Sequence, residues 1–334
     1  KVDLSRFTDT TRHLTNSGIP TQGIAFYHQS TLDLLQGLSC SVGLRYDYEH
    51  ARCDFSKVQQ PLNGNGETKS LEQFNRSLHF GQFTPRFSMQ YLSSHNQLFY
   101  ASVSKGYKAG GFNVSFLNND DYLYSPEYNW NYEIGTKLSF LNNRLSADLS
   151  LFYIDWRNQQ ITNTIPTVGN VIRNAGRSRN KGIEASFQAR PTKSWVMYMN
   201  YGYTDARFVH YQKEERGILK DYEGNYLPMV PRHTFSLTTG YSFYDICSWI
   251  DRLTLNAGVS VTGPIYWYED NQAKQSPYAL VNLRISINKG CFTWEAWSKN
   301  LTNTDYLSYY FVTSKAYAQK GKPITLGTSV SISL

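Results

Sequence analysis

Apolar residues in this chain recur at every second position, and no stretch of useful length carries them at helical spacing. In RLTLNAGVSV (252–261), Leu253, Leu255, Ala257, Val259 and Val261 are apolar, while Thr254, Asn256, Gly258 and Ser260 are small or polar. A period of two belongs to a β-strand with one greasy and one wet face. The same pattern runs through 38–49, 195–203, 235–243, 280–288 and 324–334. In 280–288 the charged Arg284 sits between Leu283 and Ile285, so the wet face is wet along its middle and not only at its ends.

Counting such runs predicts about thirteen strands, near 20–33, 37–55, 82–93, 97–112, 128–140, 144–161, 179–190, 194–210, 232–244, 252–269, 278–288, 291–305 and 323–334. Several reach or exceed the roughly 9–11 residues that a tilted strand needs to cross a bilayer. The connections between them alternate strictly between short and long. A soluble Greek-key protein has no reason to sort its loops by parity, whereas a membrane barrel has tight turns at one rim and long loops at the other. The expected fold is therefore all-β, a transmembrane antiparallel up-and-down β-barrel whose greasy face meets lipid and whose wet face lines a lumen. An odd strand count leaves such a barrel unclosed, so either at least one strand lies upstream or the count is off by one, and residues 1–334 are expected to be the C-terminal portion of a larger barrel.

Composition agrees. No run of eighteen apolar residues is present, which excludes a transmembrane helix but not a barrel strand. Aromatics reach 15%, with 26 Tyr, and Tyr and Trp suit the headgroup zone. The net charge of +7 is scattered and not gathered into a stripe, so no nucleic-acid partner is expected. A basic lumen, contact with anionic lipid, or an ordinary solubilising excess would each account for it. Cys40, Cys53, Cys247 and Cys291 lack zinc-site spacing, and Cys40 falls on the greasy face of its strand. The opening residues KVDLSRFTDT read as loop.

Several stretches, in order, resemble the C-terminal half of TonB-dependent outer-membrane receptors: GLRYDYE (43–49), FTPRFSMQY (83–91), YASVSKGYKAGGFN (100–113), SPEYNWNYEIGTK (125–137), LSLFYIDWRNQQI (149–161), NAGRSRNKGIEAS (174–186) and KNLTNTDY (299–306). They cover nearly the whole chain, and the likeness is greatest to siderophore-type receptors. The resemblance implies a roughly 22-stranded barrel, closed by an N-terminal plug, in the bacterial outer membrane. It implies active uptake of a scarce ligand, a ferric siderophore or related iron chelate before haem, cobalamin or oligosaccharides. Partners would be the TonB complex, through an N-terminal segment outside this chain, outer-membrane lipid, and a second chain or surface lipoprotein. The C-terminus and short turns would be periplasmic and the long loops extracellular. The chain ends in Leu334 where the family usually ends in Phe, and it contains no plug. A passive porin-like pore of about fourteen strands, one half of a split receptor, and a structural or adhesive module are the alternatives.

The candidate site residues lie mainly in the long connections. Tyr309, Tyr310 and Phe311, with Tyr122 and Tyr124, are placed to grip a flat or apolar ligand. Arg173, Arg177, Arg179 and Lys181 form either a basic mouth that steers anionic ligands or a solvated rim. Trp267 and Tyr268, where strand gives way to loop, are assigned with Trp195 and Tyr153 to the aromatic girdle at the membrane surface. KGYKAGGF (105–112) lacks the spacing of a phosphate loop, and Gly106, Gly110 and Gly111 are expected to permit bending or close packing. No catalytic set, metal site or cofactor is indicated, and no enzymatic activity is expected.

Overall fold

The computed structural model describes residues 11–61, 67–165, 168–174, 176–215, 218–312 and 315–333. The opening ten residues, expected as loop, and Leu334, expected in the last strand, lie outside them.

Thirteen antiparallel strands follow one another in chain order through one sheet. They are β1 (Thr11–Gly18, continued by Thr21–Leu35), β2 (Leu38–Pro61), β3 (Lys69–Leu92), β4 (Leu98–Lys108), β5 (Glu127–Phe140), β6 (Leu145–Arg157) and β7 (Arg177–Ala189). After them come β8 (Trp195–His210), β9 (His233–Cys247), β10 (Ile250–Thr262), β11 (Tyr278–Lys289), β12 (Phe292–Lys299) and β13 (Thr325–Ile332). β1 is broken at Ile19–Pro20 because Pro20 has no N–H to give to a ladder. Both halves pair along the same edge of β2, Gly18 opposite Asp54 and Thr21 opposite Ala51. Among the described residues β1 and β13 do not pair with each other, so the sheet is part of a barrel and has two edges.

Short turns rest on residues that tolerate left-handed backbone: Gly37 at φ 78°, Asn142 and Asn143 at 55° and 65°, and Gly290 at 53°. Five expected boundaries move by more than five residues: β1 begins at Thr11 and not near 20, β12 ends at Lys299 and not near 305, and three more lie in β10, β2 and β3. β10 ends at Thr262 and not near 269, since Gly263–Pro264 stops the ladder. β2 and β3 are 24 residues each, and much of the connection expected over 56–81 is a continuation of their hairpin.

The two faces separate as the alternation requires. One register row runs Leu32, Cys40, Met89, Ala101, Ile134, Leu151 and Ile183 across β1 to β7. The next row on the opposite face runs Thr31, Ser41, Ser88, Ser102 and Glu133. Ile134 is 56% exposed and Leu151 49%, the inverse of a soluble core. On β6 the greasy face spans Leu145 to Tyr153, roughly 20–25 Å when tilted, the height of a barrel's apolar band.

Toward the long loops this polarity reverses. On β2 the greasy face passes from Val42, Leu44, Tyr46 and Tyr48 to His50, Arg52 and Asp54, while the wet face passes from Ser41, Arg45 and Asp47 to Ala51, Cys53 and Phe55. β6 changes at Tyr153–Asp155 and β8 at Tyr203–Asp205. Below the change the solvent of the outer face is hydrocarbon, and above it is water, so the ordinary rule of apolar inside returns. The dry cores lie accordingly above the change and on the lumen side. Ala51, Cys53, Phe55 and Phe112 form one, packed by Phe74, Leu78 and Phe116. Ala206, Phe208, Tyr211, Tyr222 and Leu227 form the other, packed by Ile161 and Val230. Loops thus fold over the wet face, which identifies it as the interior.

Candidate functional site

The long connections carry structure of their own. Hairpins form from Gln160–Ile165 with Gly169–Asn174, Gln212–Glu215 with Ile218–Asp221, Ile265–Tyr266 with Lys274–Gln275, and Leu307–Val312 with Ala316–Lys320. Where these four meet, a cavity of about 530 Å³ is lined by residues that include Ile161, Asn163, Lys213, Met229, Trp267, Tyr309 and Phe311. Aromatic and aliphatic walls alternate there with polar side chains, Asn163, Lys213 and Glu269 among them, and a concavity with convergent polar groups is a candidate small-molecule site.

Its walls are aromatic. Trp267, only 6% exposed, meets Tyr309 edge-on at 6.4 Å between ring centroids. Tyr309 and Phe311 lie 5.8 Å apart, and Phe311 stacks on Tyr317 at 5.1 Å. Tyr268 is edge-on to Tyr310 at 6.2 Å, and its hydroxyl oxygen accepts a 2.6 Å hydrogen bond from the Val312 N–H. Burial pushes the Tyr268 phenol pKa upward, so the hydroxyl keeps its own proton for donation. Two wall residues, Asn163 and Trp267, hold a buried Oδ1 acceptor and a buried Nε1 donor with no protein hydrogen-bond partner. Unmet groups of opposite kind are costly unless something fills them. Lys213 and Glu269 add a cation and a carboxylate 3.8 Å apart.

The structure therefore places Tyr309 and Phe311 in the cavity wall with Trp267 and Tyr268, while Tyr310 packs against those two rings without lining the cavity. Trp267 and Tyr268 are corrections to the girdle assignment, because a girdle ring must face lipid, whereas Trp267 is enclosed by loops and Tyr268 is held to Val312 in the cavity wall. Their signal was Gly263–Pro264, which ends the strand before both rings. Tyr153 faces outward where the face polarity changes, 6.2 Å from Tyr132. Trp195 faces outward at the other end of the sheet, its Nε1 donating to Thr239 Oγ1 at 2.8 Å. Asn163, Lys213 and Glu269 carry no sequence signal, since each is an isolated polar residue whose neighbours are set by loop folding.

Tyr122 and Tyr124 lie elsewhere. Tyr122 ends a short 3-10 turn (Asn119–Tyr122) and is 6% exposed. It stacks on Phe74 at 4.7 Å, meets Phe116 edge-on at 4.4 Å and donates its hydroxyl to Glu72. That bond, followed by burial, raises its pKa. The ring is loop core and offers no free face to a ligand. Tyr124 is half-buried over Gly111, where a Cβ would come within 2.5 Å of its hydroxyl. Gly110 is equally tight, 2.4 Å from the Tyr124 carbonyl oxygen, so both glycines serve close packing.

The basic run divides. Arg173 belongs to the loops, where its Nε and Nη2 reach the Asp121 carboxylate at 2.6 and 2.9 Å. Arg177 and Arg179 stand on β7, in register with Arg157 and Asp155 of β6, on the outward face. They do not line a mouth.

Residues 3–303 match the model of the family described as TonB dependent receptor-like, beta-barrel. The chain belongs to that family. This receptor barrel is 24% identical over 337 residues to the pesticin receptor of Yersinia pestis, a match covering 97% of the chain and 46% of the relative. It is 24% identical over 241 residues to the ferrichrome outer membrane transporter/phage receptor of Escherichia coli, across 70% of the chain and 30% of that protein. Among solved structures, the ferric yersiniabactin uptake receptor of Yersinia pestis superposes with a TM-score of 0.77 at 21% identity, across 96% of the chain and 47% of that protein. The siderophore receptor PiuA of Acinetobacter baumannii gives 0.74 at 20% identity, across 93% and 42%. The receptor barrel thus spans less than half the length of these relatives. The family is one of bacterial outer-membrane transport receptors, with a β-barrel that this chain supplies in part.

Proposed function

We propose that this receptor barrel is the greater part of the wall, and the ligand-gripping loops, of an active importer of a ferric siderophore or related iron chelate. The observation that carries this is the aromatic cavity where four loops meet over the lumen, with an unmet acceptor and donor among its wall residues. Rigid rings hold a flat chelate at low entropic cost, and the few polar groups fix its orientation. Relatives named as pesticin, ferrichrome, ferric-pyoverdine and siderophore receptors support the ligand class.

The long loops are extracellular in this reading, and the short turns, with the end of β13, are periplasmic. Residues 1–334 form the C-terminal portion of the barrel, and the exposed edge of β1 is covered by strands from the rest of the polypeptide or from a second chain. A plug there receives energy from TonB, and a surface lipoprotein could add contacts to the loops. Tyr153 and Trp195 belong to the girdles at opposite surfaces of the membrane.

The test is accumulation of radioactive iron, supplied as a panel of ferric chelates, by iron-starved cells carrying the full-length receptor as their sole one. Saturable uptake of one chelate that vanishes without TonB is expected. Unsaturable, TonB-independent entry accompanied by ion conductance would instead mean a passive pore.

A further inference from the structure

The outward face above the apolar band is not evenly charged. On β6 the Asp155 carboxylate is gripped by Arg157 at 2.9 Å and by Arg177 at 2.5 Å. On β8 the Asp205 carboxylate is gripped by Arg207 at 2.8 Å, with Lys181 at 4.0 Å. Both carboxylates are sunk, with side chains 8% and 12% exposed, whereas those four cationic side chains remain 35–54% exposed. Arg179 stands between the two groups, exposed, and among the described residues no carboxylate lies within ion-pair distance of it. Five cations over two sunken carboxylates present a positive surface.

Its level in the fold is defined. Lys181 lies directly opposite Tyr153, the last ring of the greasy face, and Arg179 lies directly opposite Asp155, the first charge above it. Behind these strands, on the lumen side, Ala206 and Phe208 are sealed beneath the loops. These cations therefore face away from both the lumen and the ligand cavity.

We propose that this patch binds a phosphorylated lipid headgroup in the leaflet on the long-loop side. The proposal rests on the greasy face meeting lipid, and not on which chelate is carried. Neighbouring strands are about 4.8 Å apart and alternate residues along a strand roughly 7 Å, so adjacent guanidinium forks can share the oxygens of one phosphate. A zwitterionic headgroup would bring its own cation against five others, and a soluble anion would lack the acyl chains that the greasy face holds immediately beneath.

The experiment measures equilibrium binding of dioleoyl phosphatidic acid to the full-length receptor in neutral detergent, with phosphatidylcholine as the reference lipid. Arg179→Gln combined with Lys181→Gln removes two cations and leaves Asp155 and Asp205 each with an arginine. Phosphatidic acid is expected to bind about thirtyfold more weakly, since each cation at an anionic surface contributes about 1 kcal/mol, with phosphatidylcholine unchanged. Arg252→Gln combined with Arg284→Gln, an equal charge loss on the inner face, should leave both lipids unchanged. Unaltered phosphatidic acid binding by the double variant would overturn the proposal. So would an equal loss in the Arg252→Gln/Arg284→Gln variant, which would mean net charge alone, or displacement of the lipid by an equal concentration of inorganic phosphate, which would mean a soluble-anion site. If the double variant does not fold, Arg179→Gln alone breaks no ion pair and should weaken binding about fivefold.

Discussion

Arg173 and Asp121 join two long loops through a two-pronged ion pair, 2.6 and 2.9 Å long, whose carboxylate is only 5% exposed. Asp121 also accepts the Leu117 N–H at 3.1 Å, so one side chain fixes its own loop and the neighbouring hairpin. Asn113 reinforces the junction, its Nδ2 donating to the Ile172 carbonyl and its Oδ1 accepting the Ile172 N–H, both at 2.8 Å.

Arg173→Ala should release the 113–126 loop, because it strands a nearly buried carboxylate at a cost of about 1–3 kcal/mol. Faster amide hydrogen exchange across 113–122 and 169–174, with unchanged exchange in β5 and β6, is the expected result.

The same pair sets a pH response. The Arg173 hydrogen bonds hold the Asp121 carboxyl below its usual range. A lowered carboxyl pKa contributes stability that is fully present above the unfolded value, about 3.9, and is lost as pH falls through the lower folded value. Loop protection, corrected for intrinsic exchange, should be flat from pH 7 to pH 5 and fall only below about pH 4. Asp121→Asn should abolish that fall.

Leu255 is 41% exposed and opposite Tyr241 and Ile285 on the greasy face, while Asn256 faces Gly240 and Arg284 on the wet one. Leu255→Arg should therefore cost about 2–4 kcal/mol in reversible folding into lipid. Asn256→Arg should cost less; equal costs would count against the assignment of the faces, and a larger cost would reverse it.

Tyr309 is 44% exposed at the cavity and Trp267 is enclosed behind it. Tyr309→Ala should weaken chelate binding about tenfold, worth about 1.4 kcal/mol, and leave thermal unfolding unchanged. Trp267→Ala should weaken binding too but also loosen the 307–320 hairpin, seen as faster exchange there. Calorimetry and hydrogen exchange on the two variants separate these roles.

Gly111→Val should displace Tyr124, whose hydroxyl lies where the new Cβ would stand. Increased quenching of tyrosine fluorescence by acrylamide would register the exposed phenol.

The wall was legible in the sequence and the roof was only partly so. A strand bordered by lipid on one side and water on the other must alternate, so the limits of β2 and β4 to β13 can be read within four residues, except the ends of β2, β10 and β12, which fall six or seven residues from their expected places. The upper part of β3, from Lys69 to Gly81, was not legible, because its outward residues stand in water and its alternation runs in reversed phase. Tyr309 to Phe311 announced themselves as aromatic residues inside a long connection. Asn163 did not, since its burial depends on contacts between four loops that no local pattern encodes. The basic run was visible as composition, but only the register of β6 with β7 turns Arg177 and Arg179 outward and leaves Arg173 within.

The hairpins that roof the cavity each close their own backbone ladder, Leu307–Val312 against Ala316–Lys320 being one. Their main-chain hydrogen bonds are met within the ribbon or by a neighbouring loop, as from Val312 to Tyr268 and between Ile172 and Asn113, so the wall beneath imposes little on their side chains. On the proposed reading of the loops, recognition and membrane crossing are written in separate parts of the chain. A lineage of such receptors would then change what it captures by exchanging ribbons together with the loops they are tied to, as Arg173 is to Asp121, while the staves that hold it in the membrane stay as they are.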